Sequence, residues 1–181
     1  MNRTLRIVLI YGVIAGLVVA VPMVATMVTL TAATAPDNGA LYGYLTMIVA
    51  LTAVFLGVKH YRDKVLGGVV RFVPALLVGL AISAVASVIY AIGWEISLKL
   101  TGFDFPAAYM REMVEGARAS GASSAEIERI TQQAEGFARL YANPLYRFAV
   151  TFVEMFPVGV VIALISAALL RNSRFLAARA A

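Results

Sequence analysis

Cysteine is absent from this chain of 181 residues. Its absence excludes disulfides, thiolate metal sites and a cysteine nucleophile. Histidine occurs once, as His60, which leaves almost no material for a multi-histidine metal site or a Ser–His catalytic pair. We therefore expect neither a metal ion nor a cofactor.

Charged residues are also scarce. They make up 14% of the chain and hydrophobic residues 61%, whereas soluble domains average about 25% and about 45–50%. This composition excludes a disordered chain and argues strongly against a soluble globular domain. The lipid bilayer is the solvent that suits it.

Four continuous apolar runs divide the sequence. Each is close to the roughly 20 residues that a helix needs to cross a hydrocarbon core about 30 Å thick. A membrane barrel would show alternating segments of about 10 residues instead. The sequence predicts spans over about 7–30, 41–58, 72–94 and 148–170.

The charges flanking these runs indicate how the chain is threaded. The termini and the short middle connection carry most basic residues, whereas the segments on the other side have a small acidic excess. Because cytoplasmic segments are enriched in Lys and Arg, both termini should be cytoplasmic. This also explains the net charge of +5 without a nucleic-acid partner. Only Asp63 opposes the inner basic residues, which are Arg3, Arg6, Lys59, Arg62, Lys64, Arg71, Arg171, Arg174 and Arg179.

One long connection, between the third and fourth spans, should face outward. Asp104 and Pro106 are typical of a helix start, and apolar residues then recur at helical spacing. Ser123 to Glu126 matches a capping box, which predicts a second amphipathic helix. We therefore predict an all-α fold with one domain over residues 1–181. It is an integral membrane four-helix bundle with an extracytoplasmic amphipathic helical hairpin over about 104–142.

Glu154 is the most informative polar residue, because it is the one charged residue inside the fourth span. Intramembrane carboxylates are costly and usually have a partner or a function. Glu95 and Arg147 are expected at the outer headgroup level, with Tyr90 and Tyr44 as hydroxyl partners. These five residues are our candidate ligand or intramembrane polar site. The alternative is interfacial anchoring plus one buried hydrogen bond.

The middle connection supplies a second candidate site. Lys59, Tyr61, Arg62 and Asp63 form a cytoplasmic turn that we expect to contact lipid headgroups, since basic residues there attract anionic lipid. His60 is a weak candidate for a ligand or a proton relay.

Small residues recur every four positions on two of the spans. Such stripes let helices approach closely. They serve either packing within the bundle or a homodimer. The stripes are Ala75, Gly79, Ser83, Ser87 and Ala91 in the third span, and Gly159, Ala163 and Ala167 in the fourth.

One set of residues spread over nearly the whole chain carries a family resemblance. The set is Gly43-Tyr44, Met47, Phe55, Gly57, Lys59, Tyr61-Arg62-Asp63, Gly67-Gly68, Tyr90, Trp94-Glu95, Glu154, Phe156-Pro157 and Gly159. In these residues the chain resembles the domain of unknown function 4199 family, which comprises small bacterial membrane proteins with four predicted spans. The resemblance implies a bacterial inner-membrane location and no established activity.

Three functional hypotheses follow. The leading one is non-enzymatic binding or transport of a lipid-like or small amphipathic molecule, with membrane lipids as partners. The alternative is a self-associating or accessory structural subunit of a membrane complex. An enzyme is not expected, because no phosphate-binding loop, dinucleotide fingerprint, zincin motif or nucleophile elbow is present. A membrane enzyme that uses Glu95 and Glu154 as an acid/base pair stays a minor third hypothesis.

Overall fold

The computed structural model describes residues 2–29 and 39–177, and within these ranges the secondary structure is entirely helical. Four of the helices are long and apolar enough to cross a membrane. The predicted all-α class is therefore confirmed, and each of the four predicted spans falls on one of these helices over its described residues. The helices are α1 (Arg3–Thr29), α2 (Gly39–Lys64), α3 (Phe72–Thr101), α4 (Phe105–Ala119), α5 (Ser124–Tyr141) and α6 (Pro144–Leu170).

The helices extend beyond several predicted spans. α2 continues through Lys64 and α3 through Thr101, where Gly102 ends the helix in the left-handed region at φ 64°. Hydropathy marks the stretch that suits hydrocarbon, whereas a helix continues into polar residues until a capping residue stops it. Lys59 to Asp63 therefore lie in the last turns of α2, and not in the turn that the sequence predicted.

The four long helices form one bundle around α3. α3 packs against α1 on one side and α6 on the other, and α2 closes the bundle against α1 and α6. Residues with no exposed surface occupy its centre, which gives the bundle a continuous apolar core. They include Ala15, Leu51, Ile82, Ala86 and Met155.

The small-residue stripes are used within this bundle. A Cβ added at Gly79 would lie 2.8 Å from the Ala163 Cβ, and one at Gly159 would lie 2.6 Å from the Ser83 Cβ. The stripes of α3 and α6 thus face each other in one chain. The sequence left two roles open for the stripes, packing within the bundle or a homodimer. The structure shows packing within the bundle, so a homodimer would need a different surface.

The long connection forms the predicted helical hairpin of α4 and α5. Asp104 caps α4 by accepting a hydrogen bond from the Ala107 N–H, and Ser123 caps α5 by accepting one from the Glu126 N–H. The apolar faces of the two helices meet in an aromatic cluster, which consists of Phe105, Tyr109, Phe137 and Tyr141. Trp94 of α3 packs edge-on against Phe105 at 5.5 Å between ring centroids, which attaches the hairpin to one end of the bundle.

Candidate functional site

The seam between α3 and α6 changes character along its length. At one end it consists of the small residues described above, and towards the hairpin it continues in polar pairs. Because the two helices run antiparallel, Glu95 faces Arg147 and Tyr90 faces Glu154. Four of the five polar residues singled out from the sequence therefore lie along this seam.

Glu95 and Arg147 form a two-pronged ion pair at the hairpin end. Arg147 Nε donates to Glu95 Oε1 and Nη2 donates to Oε2, each at 2.6 Å. The fork of the guanidinium matches the two carboxylate oxygens, which makes this geometry strong and directional. Nη1 donates a weaker bond of 3.3 Å to the Tyr141 carbonyl, so the pair also holds the end of α5.

Tyr141 connects the hairpin to this ion pair. Its hydroxyl accepts a hydrogen bond of 2.6 Å from the Trp94 indole N–H, and the guanidinium of Arg147 lies 5.6 Å from the centre of its ring. Burial raises the pKa of the Tyr141 hydroxyl above its ordinary value, because the charged phenolate would lose its hydration. Tyr141 therefore stays neutral, and its hydrogen bond with Trp94 joins the hairpin to the bundle.

A cavity of about 850 Å³ opens beside this ion pair. It is lined by the ends of α3, α5 and α6 and by the connection that enters α4. Its wall combines apolar surface with two basic and two acidic side chains, so its formal charge is balanced. The lining residues are Ile92, Glu95, Ile96, Leu98, Lys99, Phe103, Asp104, Phe105, Pro106, Ala138, Tyr141, Ala142 and Arg147.

Glu154 and Tyr90 form a second polar pair, deeper along the seam. Tyr90 is 6% exposed, and its hydroxyl donates to Glu154 Oε2 at 3.3 Å. Glu154 itself is exposed on the surface of the chain, whereas the sequence reasoning expected it to face inward. The reason is its position on α6, one residue before the fully buried Met155 and therefore about 100° away from the core-facing line.

The five predicted site residues thus fall into two neighbouring groups. One is the Glu95–Arg147 pair beside the cavity, and the other is the Tyr90–Glu154 pair. Tyr44 of α2 is 49% exposed and makes no hydrogen bond to either group within the described ranges. The residues lie close together, but they do not form one continuous network.

Arg62 lies at the opposite end of the bundle, and its surroundings differ from the predicted ones. Its side chain has no exposed surface. It donates to Asp63 and to the backbone carbonyls of Phe175 and Leu176, at 2.6, 2.8 and 2.6 Å. Arg62 therefore holds the chain that follows α6, instead of facing lipid headgroups. Asp63 is also paired, with Lys59 at 2.5 Å.

The family described as "Protein of unknown function (DUF4199)" matches residues 10–172. The chain belongs to this DUF4199 family. No curated protein and no solved structure matches it. The resemblance stated from the sequence is therefore confirmed, and the family match includes both polar pairs of the seam.

Three features of this DUF4199 protein escaped the sequence analysis as parts of a site. Lys99 lines the cavity, the Trp94 indole donates a hydrogen bond to the Tyr141 hydroxyl, and the segment after α6 covers Arg62. Tyr141 carried a usable signal, since it ends the apolar stripe of α5. The segment after α6 carried no such signal, because Arg62 contacts its backbone carbonyls, and every sequence has backbone carbonyls.

Residues 2–29 and 39–177 contain no group of three or more potential metal-binding side chains. His60 is exposed, and its Nδ1 lies 3.1 Å from the Tyr11 hydroxyl of α1. This contact joins α1 to α2 at the end of the bundle that holds Arg62.

Proposed function

We propose that this DUF4199 protein binds or transports a lipid-like or small amphipathic molecule without changing it chemically. We place it in the bacterial cytoplasmic membrane, with both termini in the cytoplasm and the hairpin outside. The observation that carries the proposal is the cavity of about 850 Å³ at the hairpin end. Ligand sites are typically concave, of about 300–1,000 Å³, and mostly apolar with a few placed polar groups.

The wall of the cavity suits a molecule with a polar head and an apolar chain. Lys99 makes no ion pair within the described ranges. It lines the same cavity as Glu95 and Arg147, which pair with each other. Ile92 and Ile96 line the same cavity and are each 47% exposed on the surface of a membrane-spanning helix. A polar head in the cavity would therefore leave its apolar chain against these isoleucines.

The arrangement of Glu95 favours binding over acid/base catalysis. Both of its carboxylate oxygens accept hydrogen bonds from Arg147, so both are already engaged within the chain. The self-association alternative loses its main motivation, because the small-residue stripes are buried between α3 and α6. Both considerations support a binding protein.

Filling the cavity tests this proposal. Ala138 lines the cavity, and Ala138→Trp would place an indole in it. We expect the wild-type protein, released from membranes in mild detergent, to retain a discrete lipid-like adduct in native mass spectrometry. Ala138→Trp should lower its occupancy about tenfold, which corresponds to about 1.4 kcal/mol.

The control is Ala125→Trp, the same change at an exposed position near the start of α5 that does not line the cavity. It should retain the wild-type adduct. A bare wild-type protein, or equal occupancy in the two tryptophan variants, would refute binding in this cavity.

The absence of cysteine makes the proposed topology directly measurable. We expect Ala125→Cys in the hairpin to react with a membrane-impermeant maleimide on intact bacterial cells, or on spheroplasts if an outer membrane is present. Lys64→Cys, at the end of α2, should react only after the cells are opened. Labelling of Lys64→Cys but not of Ala125→Cys in intact cells would reverse the proposed orientation.

A further inference from the structure

Glu154 lies where a charged carboxylate is energetically unfavourable, and it does not line the cavity. It lies seven residues after Arg147 in α6, which is about 10 Å deeper along the helix. It is exposed on the surface of the chain, and α6 is the least covered of the four spans. In the most apolar window of α6, 22% of residues are buried, against 39% in each of the others. An ionised carboxylate at such a place is costly unless a cation or several donors face it.

The chain itself supplies little compensation. Tyr90 donates one long hydrogen bond of 3.3 Å to Oε2, and Oε1 accepts none from the described residues. Arg147, two turns away, already has both oxygens of Glu95 as partners. One side of the carboxylate therefore remains available on the membrane-facing surface.

A second copy of the chain offers no better partner. The apolar stretches 7–29, 41–58, 72–94 and 148–170 contain no lysine and no arginine. A symmetric dimer that covered α6 would therefore bring another Glu154, and no cation, to this depth. The partner that would complement an ionised Glu154 at this depth is therefore a cation on a molecule that itself enters the membrane.

The groups around Glu154 match an ammonium ion. A protonated amine has three N–H donors, which suit a carboxylate oxygen and a tyrosine hydroxyl. Aromatic faces attract cations, and Tyr44 is half exposed near the start of α2, a helix that packs against α6. We propose that Glu154, Tyr90 and Tyr44 form a membrane-accessible site for the primary ammonium group of an amphipathic amine. None of the three residues lines the cavity, so this second site goes beyond the proposed function.

A single-chain amine provides the probe. The full-length protein in phosphatidylcholine nanodiscs is titrated with octadecylamine, octadecanol or octadecyl sulfate, and bound molecules are counted by native mass spectrometry. Protein-free nanodiscs correct for partition into lipid. We expect octadecylamine to bind at least about tenfold more tightly than octadecanol, because a hydrogen bond to a charged group adds that much or more.

Glu154→Gln keeps the shape and the acceptor for Tyr90 but removes the charge. We expect it to abolish the preference for amine over alcohol and to leave octadecanol binding unchanged. Glu112→Gln makes the same change at an exposed position of α4 and should keep the preference. Equal binding of amine and alcohol by the wild-type protein, or an unchanged preference in Glu154→Gln, would overturn the proposal.

Two further variants keep the outcomes distinguishable. Tyr44→Ala removes a half-exposed side chain and should lower the amine preference about threefold even if Glu154→Gln fails to fold. An undiminished preference in Tyr44→Ala would then count against the site. Ala138→Trp fills the cavity and should leave the amine preference intact, so failure of the proposed function does not imply failure of this site.

Discussion

Replacing Arg62 by methionine is expected to lower the free energy of unfolding by about 3 kcal/mol and to release the chain that follows α6. Arg62 has no exposed side-chain surface and donates to Asp63 and to two backbone carbonyls. Removing one partner of a buried pair costs about 3–5 kcal/mol, since the other charge stays buried. We expect the lower end, because Lys59 still pairs with Asp63.

The two carbonyls contribute less to this loss. Phe175 is 36% exposed and Leu176 is 51% exposed, so water can replace the donors that their carbonyls lose. Their main role is to fix the path of the tail, which also packs Phe175 edge-on against Phe55 at 6.5 Å. Leu176 has a φ of 47°, a conformation that a leucine adopts at some cost and keeps because Arg62 holds its carbonyl.

Unfolding in detergent and limited proteolysis measure the two effects separately. Trypsin should cleave after Arg171 and Arg174 faster in Arg62→Met than in the wild-type protein. Arg71→Met is the matched control, because Arg71 is exposed and makes no side-chain bond to the helix that it precedes. It should change stability by less than about 0.5 kcal/mol. Equal unfolding midpoints and equal cleavage rates in the two variants would contradict a structural role for Arg62.

The architecture could be predicted from the sequence because apolar runs of about 20 residues have few other uses. Asp104 and Ser123 were recognisable as helix starts for a local reason, since their side chains bond to the next turn. The ends of α2 and α3 were missed because hydropathy falls several residues before the backbone hydrogen bonding stops. Local signals were sufficient wherever the decisive contact is local.

The candidate site was predictable only in part, because its contacts join distant segments. Glu95 and Arg147 were expected to meet, and they do so across 52 residues. Glu154 was expected to face inward, but a shift of one position from Met155 places it on the surface. The depth of a residue in a span follows from counting, whereas the direction of its side chain depends on how neighbouring helices pack.

Gly159→Ala is expected to destabilise the protein by about 1–3 kcal/mol, through the seam between α3 and α6. The added Cβ would lie 2.6 Å from the Ser83 Cβ and 2.7 Å from its hydroxyl oxygen. The Ser83 Cβ is fixed to the α3 backbone, so the helices must separate. This cost exceeds the gain of up to about 1 kcal/mol that alanine brings over glycine in a helix. Thermal unfolding in detergent measures the loss.

The same substitution elsewhere should have the opposite sign. At Gly43, in α2, an added Cβ meets nothing within 4 Å, so Gly43→Ala should be neutral or stabilising. Combining Gly159→Ala with Ser83→Gly removes the atom that the new methyl group meets, and the double variant should lose less than the sum of the single losses. If the stripes instead joined two chains, Gly159→Ala would change the oligomeric mass and leave the unfolding of the isolated chain unaffected. A loss of stability at unchanged mass, recovered by Ser83→Gly, therefore distinguishes packing within one chain from self-association.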